Sequence, residues 1–64
     1  MFKELDTVVL KTDIPDKKLY TGDLGVIVDV YSEHDVEVEF VTGDGHTVAS
    51  LGLKTDNIRH ILLA

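Results

Sequence analysis

Residues 21–28 constrain this chain more than any other segment, because a polar turn passes through two closely spaced glycines into a β-branched run. Glycine tolerates positive φ and close backbone approach, so Gly22 and Gly25 indicate a forced bend directly before a strand. The valines that follow favour a pleated surface. This segment therefore favours a β-strand interpretation of the rest of the chain.

The size of the chain limits it to one small domain, predicted to span residues 1–64. There is no cysteine, which removes both a disulfide framework and thiolate metal sites. Tight packing and self-association remain as the means of stabilising so small a scaffold. The apolar content of 44% is typical of a folded domain.

The charge of the chain argues against nucleic acid as a partner. The formal net charge is −6, with only six lysines and arginines to neutralise phosphates. No apolar run is long enough to cross a bilayer, and the first residues lack the apolar core of a signal peptide. We therefore expect a cytoplasmic protein that does not bind membranes and, if it binds a partner electrostatically, binds a basic one.

Turn chemistry divides the chain into five predicted strands. A long loop containing Pro15 follows the first strand, and either Leu19 or Tyr20 is expected to pack beneath it. A hairpin turn is predicted at residues 42–45, Gly52 is expected to permit a bend, and a short helical or 3-10 turn is expected at residues 54–57. The predicted strands cover residues 7–11, 24–31, 35–41, 46–51 and 58–61.

The alternation of side chains assigns a face to each residue of a strand. In the second strand it predicts that the valines point inward and that Ile27, Asp29 and Tyr31 point outward. The third strand has the clearest alternation, with Glu37 and Glu39 on its outer side. The predicted core consists of Val8, Leu10, Leu24, Val26, Val28, Val30, Val36, Val38, Phe40, Val48, Leu53 and Ile58.

The order of strands and loops predicts the fold class. We expect an all-β protein, a small five-stranded SH3-like barrel with a 3-10 turn before the last strand. Closing a small sheet on itself removes exposed strand edges, which are a liability in a short all-β chain. The alternative is an open meander that closes only by pairing with a second copy.

Four segments taken together resemble a family of short bacterial proteins, common in cyanobacteria, whose function is unknown. They are residues 2–10, 22–28, 36–41 and 56–59. The resemblance implies an SH3-like barrel without known catalytic residues. Because members of such families often lie beside another small open reading frame, it also implies pairing of the toxin–antitoxin or immunity kind. Residues 22–26 are further similar to the first five positions of a Gly-Asp-x-Gly-x-Val motif of ribosomal and transcription-factor barrels, although the basic residues around that motif are absent.

The residues that could carry chemistry do not form a recognised pattern. The histidines His34, His46 and His60 lack the spacing of zinc ligands. Neither Ser32 nor Ser50 has the context of an activated nucleophile. The sequence therefore predicts no enzyme activity, no metal and no cofactor.

One predicted surface has the composition of a protein-binding patch. If the second and third strands form a hairpin, their outer sides combine an aromatic and two aliphatic residues with three carboxylates. This composition favours a basic protein partner, although an ordinary solvated face is the simpler alternative. The candidate residues are Ile27, Asp29, Tyr31, Glu37, Glu39 and Val41.

The apolar tail formed by Ile61, Leu62 and Leu63 either closes one end of the barrel or packs on another chain. We favour self-association, with a two-fold dimer as the expected form.

The sequence leaves three functions as hypotheses. The first is a non-enzymatic interaction module, as the antitoxin or immunity partner of a basic protein. The alternatives are a nucleic-acid- or transcription-associated barrel and a purely structural self-assembling protein.

Overall fold

Five antiparallel strands form one sheet in the computed structural model, which describes residues 1–41 and 48–61. The strands are β1 (Thr7–Leu10), β2 (Leu24–Val30), β3 (Asp35–Val41), β4 (Val48–Lys54) and β5 (Ile58–His60). Their order in the sheet is β4-β3-β2-β1-β5. A 3-10 turn at Thr55–Asn57 directly precedes β5. The predicted all-β fold with five strands and this turn is confirmed.

Strand β3 lies between β4 and β2, and its side chains alternate between the two sides of the sheet. Its inward side chains Val36, Val38 and Phe40 are fully buried, as predicted. On one side β3 pairs with β2, and on the other it pairs with β4 over seven successive residues, from Asp35↔Lys54 to Val41↔Val48. Leu53 of the edge strand β4 and Ile58 of the other edge strand, β5, belong to one buried cluster, so the described sheet curls around a common core.

The predicted phase of β2 is wrong from Leu24 to Val28, whereas beyond it Asp29 pairs with the outward Glu37 and Val30 with the inward Val36, on the predicted sides. Ile27 is 0% exposed, whereas Val26 and Val28 are each 37% exposed, and Leu24 and Val30 are exposed as well. The reason lies in the pairing with β3, where Gly25 faces Phe40 and Ile27 faces Val38. The register then shifts between Ile27 and Asp29, so Val28 is the extra residue of a β-bulge.

The loop between β1 and β2 is anchored at several points. Leu19 is 2% exposed and pairs with Ile14, which confirms the expectation that a residue packs beneath this loop. A 3-10 turn, Pro15–Lys17, lies between these two residues. Asp13 Oδ1 accepts hydrogen bonds from the Thr21 N–H (2.8 Å) and from Thr21 Oγ1 (2.9 Å). The two ends of the loop are thereby joined.

The core contains residues from all five strands. Of the predicted core, seven residues are confirmed: Val8, Leu10, Val36, Val38, Phe40, Leu53 and Ile58. Leu19 and Ile27 complete the cluster, and Phe2, Ile14 and Leu51 pack against it. Gly52 lies within β4 instead of forming the expected bend. The predicted turn at residues 42–45 and the side chain of Val48 lie outside the described part.

Candidate interaction surface

The outer side of β2 and β3 carries most of the candidate binding residues. Asp29 pairs directly with Glu37, and Glu39 pairs with Val26, so these side chains share one side of the sheet. Tyr31 and Val41 are 61% and 59% exposed on the same side. We call this surface the acidic face and define it by Val26, Val28, Asp29, Tyr31, Glu37, Glu39 and Val41.

Glu37 is held in place by two hydroxyl groups. The Tyr31 hydroxyl donates a hydrogen bond to Glu37 Oε1 (3.2 Å), and Ser50 Oγ donates one to Oε2 (2.8 Å). The hydrogen bond to Glu37, together with loss of solvation, raises the pKa of Tyr31 above its usual value. A carboxylate has about four acceptor positions, so Glu37 keeps acceptor capacity for a further donor.

The described cation nearest to the acidic face neutralises Asp35, a carboxylate beside the face and not part of it. Lys54 Nζ lies 2.6 Å from Asp35 Oδ1, and this hydrogen bond, followed by that from Ser32, lowers the pKa of Asp35. Within residues 1–41 and 48–61, no lysine, arginine or histidine forms an ion pair with Asp29, Glu37 or Glu39. These three carboxylates therefore give the face an uncompensated negative charge.

Ile27 was predicted for this surface, and that prediction is wrong because the side chain is fully buried opposite Val38. The structure places Val26 and Val28 on the acidic face instead. The number of apolar residues does not reveal which side of β2 faces the core. The alternating set that contains Leu24, Val26, Val28 and Val30 is the more apolar one, yet the structure buries Ile27. The one available signal was Gly25, a residue small enough to lie against an aromatic ring on the partner strand.

Two of the three residues of the candidate oligomer contact, Leu62 and Leu63, lie outside the described residues. Ile61 is half-buried, and its N–H donates to the Thr7 carbonyl at 3.4 Å. The contact of Ile61 that is described is therefore within the chain. Self-association through the tail stays a prediction.

The histidines have separate surroundings. His60 Nε2 lies 3.1 Å from Asp6 Oδ2, and its ring stacks on Phe2 with a centroid distance of 4.2 Å. His34 lies in the turn after β2, and His46 falls outside the described part. Among the residues that the structure describes, no three side chains of His, Asp or Glu form a cluster that could hold a metal ion.

A groove of about 620 Å³ lies beside the β2–β3 turn. Its lining includes the apolar Phe2, Val30 and Val36 and the carboxylates of Glu33 and Asp56. Ser32, at the same turn, donates through Oγ to Asp35 and accepts from the backbone N–H of His34. The described contacts of this hydroxyl are those of a turn-stabilising group, not of a nucleophile beside an imidazole.

The glycines of residues 22–25 each have a structural role. Gly22 adopts φ +99°, which side chains rarely permit. A Cβ at Gly25 would lie 2.7 Å from Val38 Cγ1, so only glycine fits there without displacement. Asp23 Oδ2 accepts the Tyr20 N–H at 2.9 Å. Packing and turn geometry account for the segment that is similar to the nucleic-acid-associated motif.

A comparison with known families gives one match. The model of the family described as Domain of unknown function (DUF4926) matches residues 4–60. The chain belongs to this family. The match to DUF4926 includes all five strands and every residue of the acidic face, and it confirms the expected membership of a family of unknown function.

Two further comparisons, with curated proteins and with solved structures, gave no match. Within the described residues, no helix has the length and apolar character that crossing a bilayer requires.

Proposed function

We propose that this DUF4926 chain is a non-enzymatic interaction module whose acidic face binds a basic protein. The observation that carries the proposal is the pairing of Asp29 with Glu37 on a face where no described cation compensates them. Opposite charge on the partner would accelerate encounter and fix orientation.

The apolar part of the acidic face supports a protein partner over a small cation. Val26, which pairs with Glu39, and Val28 are each 37% exposed, and Tyr31 and Val41 are more exposed still. Aromatic and aliphatic side chains bordered by charge are the composition of interface centres with polar rims. A simple counter-ion would gain nothing from these side chains.

Three finer proposals accompany the module. The sheet order and the curled sheet support an SH3-like barrel. This chain would be the antitoxin or immunity partner of a small basic toxin, which follows from the family resemblance alone. Self-association through the apolar tail is compatible with partner binding, because in the sequence the tail follows β5, whereas the acidic face lies on β2 and β3.

The proposal is tested with a charge-reversal variant and a matched control. The partner is captured on the immobilised chain at low salt, identified by mass spectrometry, purified and titrated by calorimetry. E37K/E39K should weaken binding at least about tenfold, because attraction becomes repulsion. E4K/D16K changes the net charge equally at exposed positions outside the face, and should weaken binding less than about threefold.

Two outcomes would contradict the interaction module. Equal weakening by both double variants would show that net charge, and not the acidic face, determines binding. Binding of single-stranded RNA or duplex DNA at micromolar concentration, undisturbed by E37K/E39K, would favour the nucleic-acid-associated alternative. Circular dichroism of each variant verifies that the sheet is retained.

A further inference from the structure

We propose that the basic partner binds by adding a strand to the outer edge of β4. This inference rests on the proposed function and specifies the partner as an extended segment in which basic and apolar residues alternate. In the described part of the chain, β4 is bordered by β3 on one side and by no strand on the other.

The hydrogen-bond pattern identifies which backbone groups of β4 point outward. The Thr55 N–H donates to the His34 carbonyl, one step beyond the β3–β4 ladder. Because bonds alternate along an antiparallel pair, Leu53 and Leu51 direct their backbone groups to β3. Ser50, Gly52 and Lys54 therefore present their N–H and C=O groups to the outer edge.

The edge lacks most of the devices that normally protect a strand. Its register with β3 is continuous over seven pairs, so no bulge bends it away. Its sequence contains no proline and a single charged residue, Lys54, which already pairs with Asp35 at one end. Around Ser50 and Gly52 the edge is a regular template for another strand.

The side chains next to this edge determine the chemistry of the added strand. On the outer side, Glu37 pairs with Gly52 and Glu39 pairs with Ser50. Adjacent strands lie about 4.8 Å apart, so a residue beside Gly52 would be about 10 Å from Glu37 in backbone terms. A lysine or arginine there reaches across Gly52, which has no side chain, and meets the oriented Glu37 carboxylate.

On the inner side the added strand would contact the border of the core. Leu51 is half-buried and packs against the core cluster from β4. An apolar residue of the partner, placed next to Leu51, would remove the remaining exposed part of this side chain from water. The alternation of a strand then places basic residues beside Gly52 and apolar residues beside Leu51.

Nuclear magnetic resonance of the isotope-labelled full chain tests this inference. The probe is a blocked ten-residue peptide of alternating lysine and valine. We expect slowed amide exchange at Ser50 and Gly52, with the largest shift changes along β4. A peptide of the same composition with its lysines grouped at one end is the control, and should bind at least about fivefold more weakly.

Gly52→Val supplies the matched variant, because a β-branched residue suits a strand and leaves the backbone edge intact. Its side chain would occupy the path to Glu37, so affinity for the alternating peptide should fall about fivefold.

Several results would overturn strand addition. Equal binding of both peptides, or shift changes confined to β2 and β3 without slowed exchange in β4, would exclude it while leaving the acidic face as a binding surface. Absence of binding by any basic probe would remove both proposals. Protection of the β4 amides without peptide, together with a doubled mass, would identify a second copy as the occupant.

Discussion

Gly25 determines which side of β2 faces the core. A Cβ at this position would lie 2.7 Å from Val38 Cγ1 and 2.8 Å from Phe40 Cε1. The buried Phe40 ring occupies the space that a side chain would need, so β2 turns its glycine inward. Ile27, two residues later, follows inward, and Val26 is left on the acidic face.

Gly25→Ala should therefore destabilise the protein by about 1–3 kcal/mol, the usual cost of overpacking a core. Gly52→Ala is the matched control, since its nearest atom would be Glu37 Oε1 at 3.6 Å. The control should change the free energy of unfolding by less than about 1 kcal/mol. Urea unfolding followed by circular dichroism measures both variants. Equal losses in the two would disprove the proposed role of Gly25.

At the scale of elements, the neighbouring strands β2 and β3 differ in how far the sequence determines which side chains face the core. In β3 the apolar Val36, Val38 and Phe40 alternate with three carboxylates, so its limits, its faces and its three core residues could be predicted. In β2 both phases contain apolar residues, and the correct one depends on contacts with Phe40 and Val38 across the sheet. The bulge at Val28 depends on the same pairing, so the site residues that follow it could be predicted only in part.

Asp6, which precedes β1, contacts His60 of β5 through its carboxylate, and the protonation of this carboxylate can be followed. Asp6 Oδ2 accepts the Lys3 N–H at 2.9 Å and lies 3.1 Å from His60 Nε2. The hydrogen bond from Lys3, and then the contacts with His60, lower the pKa of Asp6 below its usual value. Its contribution to stability is thus present above about pH 4 and is lost as the pH falls through the lowered pKa.

Asp6→Asn should accordingly lower the urea midpoint at neutral pH, and its difference from the wild type should shrink as the pH falls to about 2. Asp16→Asn, which removes the same charge from the exposed turn Pro15–Lys17, serves as the control and should show a smaller difference at neutral pH. A deficit of Asp6→Asn that stays constant between the two pH values would contradict the role assigned to the carboxylate.

At the scale of the whole molecule, we expect the acidic face to lower the stability of the isolated chain. The net charge is −6, and Asp29, Glu37 and Glu39 concentrate part of it on neighbouring positions of two strands. Like charges on neighbouring positions repel, and salt screens this repulsion over a distance of about 10 Å at 0.1 M. Functional sites commonly reduce the stability of the protein that carries them. Repulsion within the acidic face is therefore what we expect of a surface that a basic partner would neutralise.

Glu39→Lys and Glu4→Lys separate this local repulsion from the effect of net charge. Each changes the charge from −6 by two, to −4, but only the first removes a carboxylate from the acidic face. If the repulsion is local, added sodium chloride should raise the urea midpoint of the wild type and of Glu4→Lys similarly, and that of Glu39→Lys less. Identical salt responses in the two variants would mean that the carboxylates of the acidic face do not interact strongly. The proposed electrostatic basis of partner binding would then lose its main physical support, because a face without concentrated charge cannot steer a basic protein toward β2 and β3.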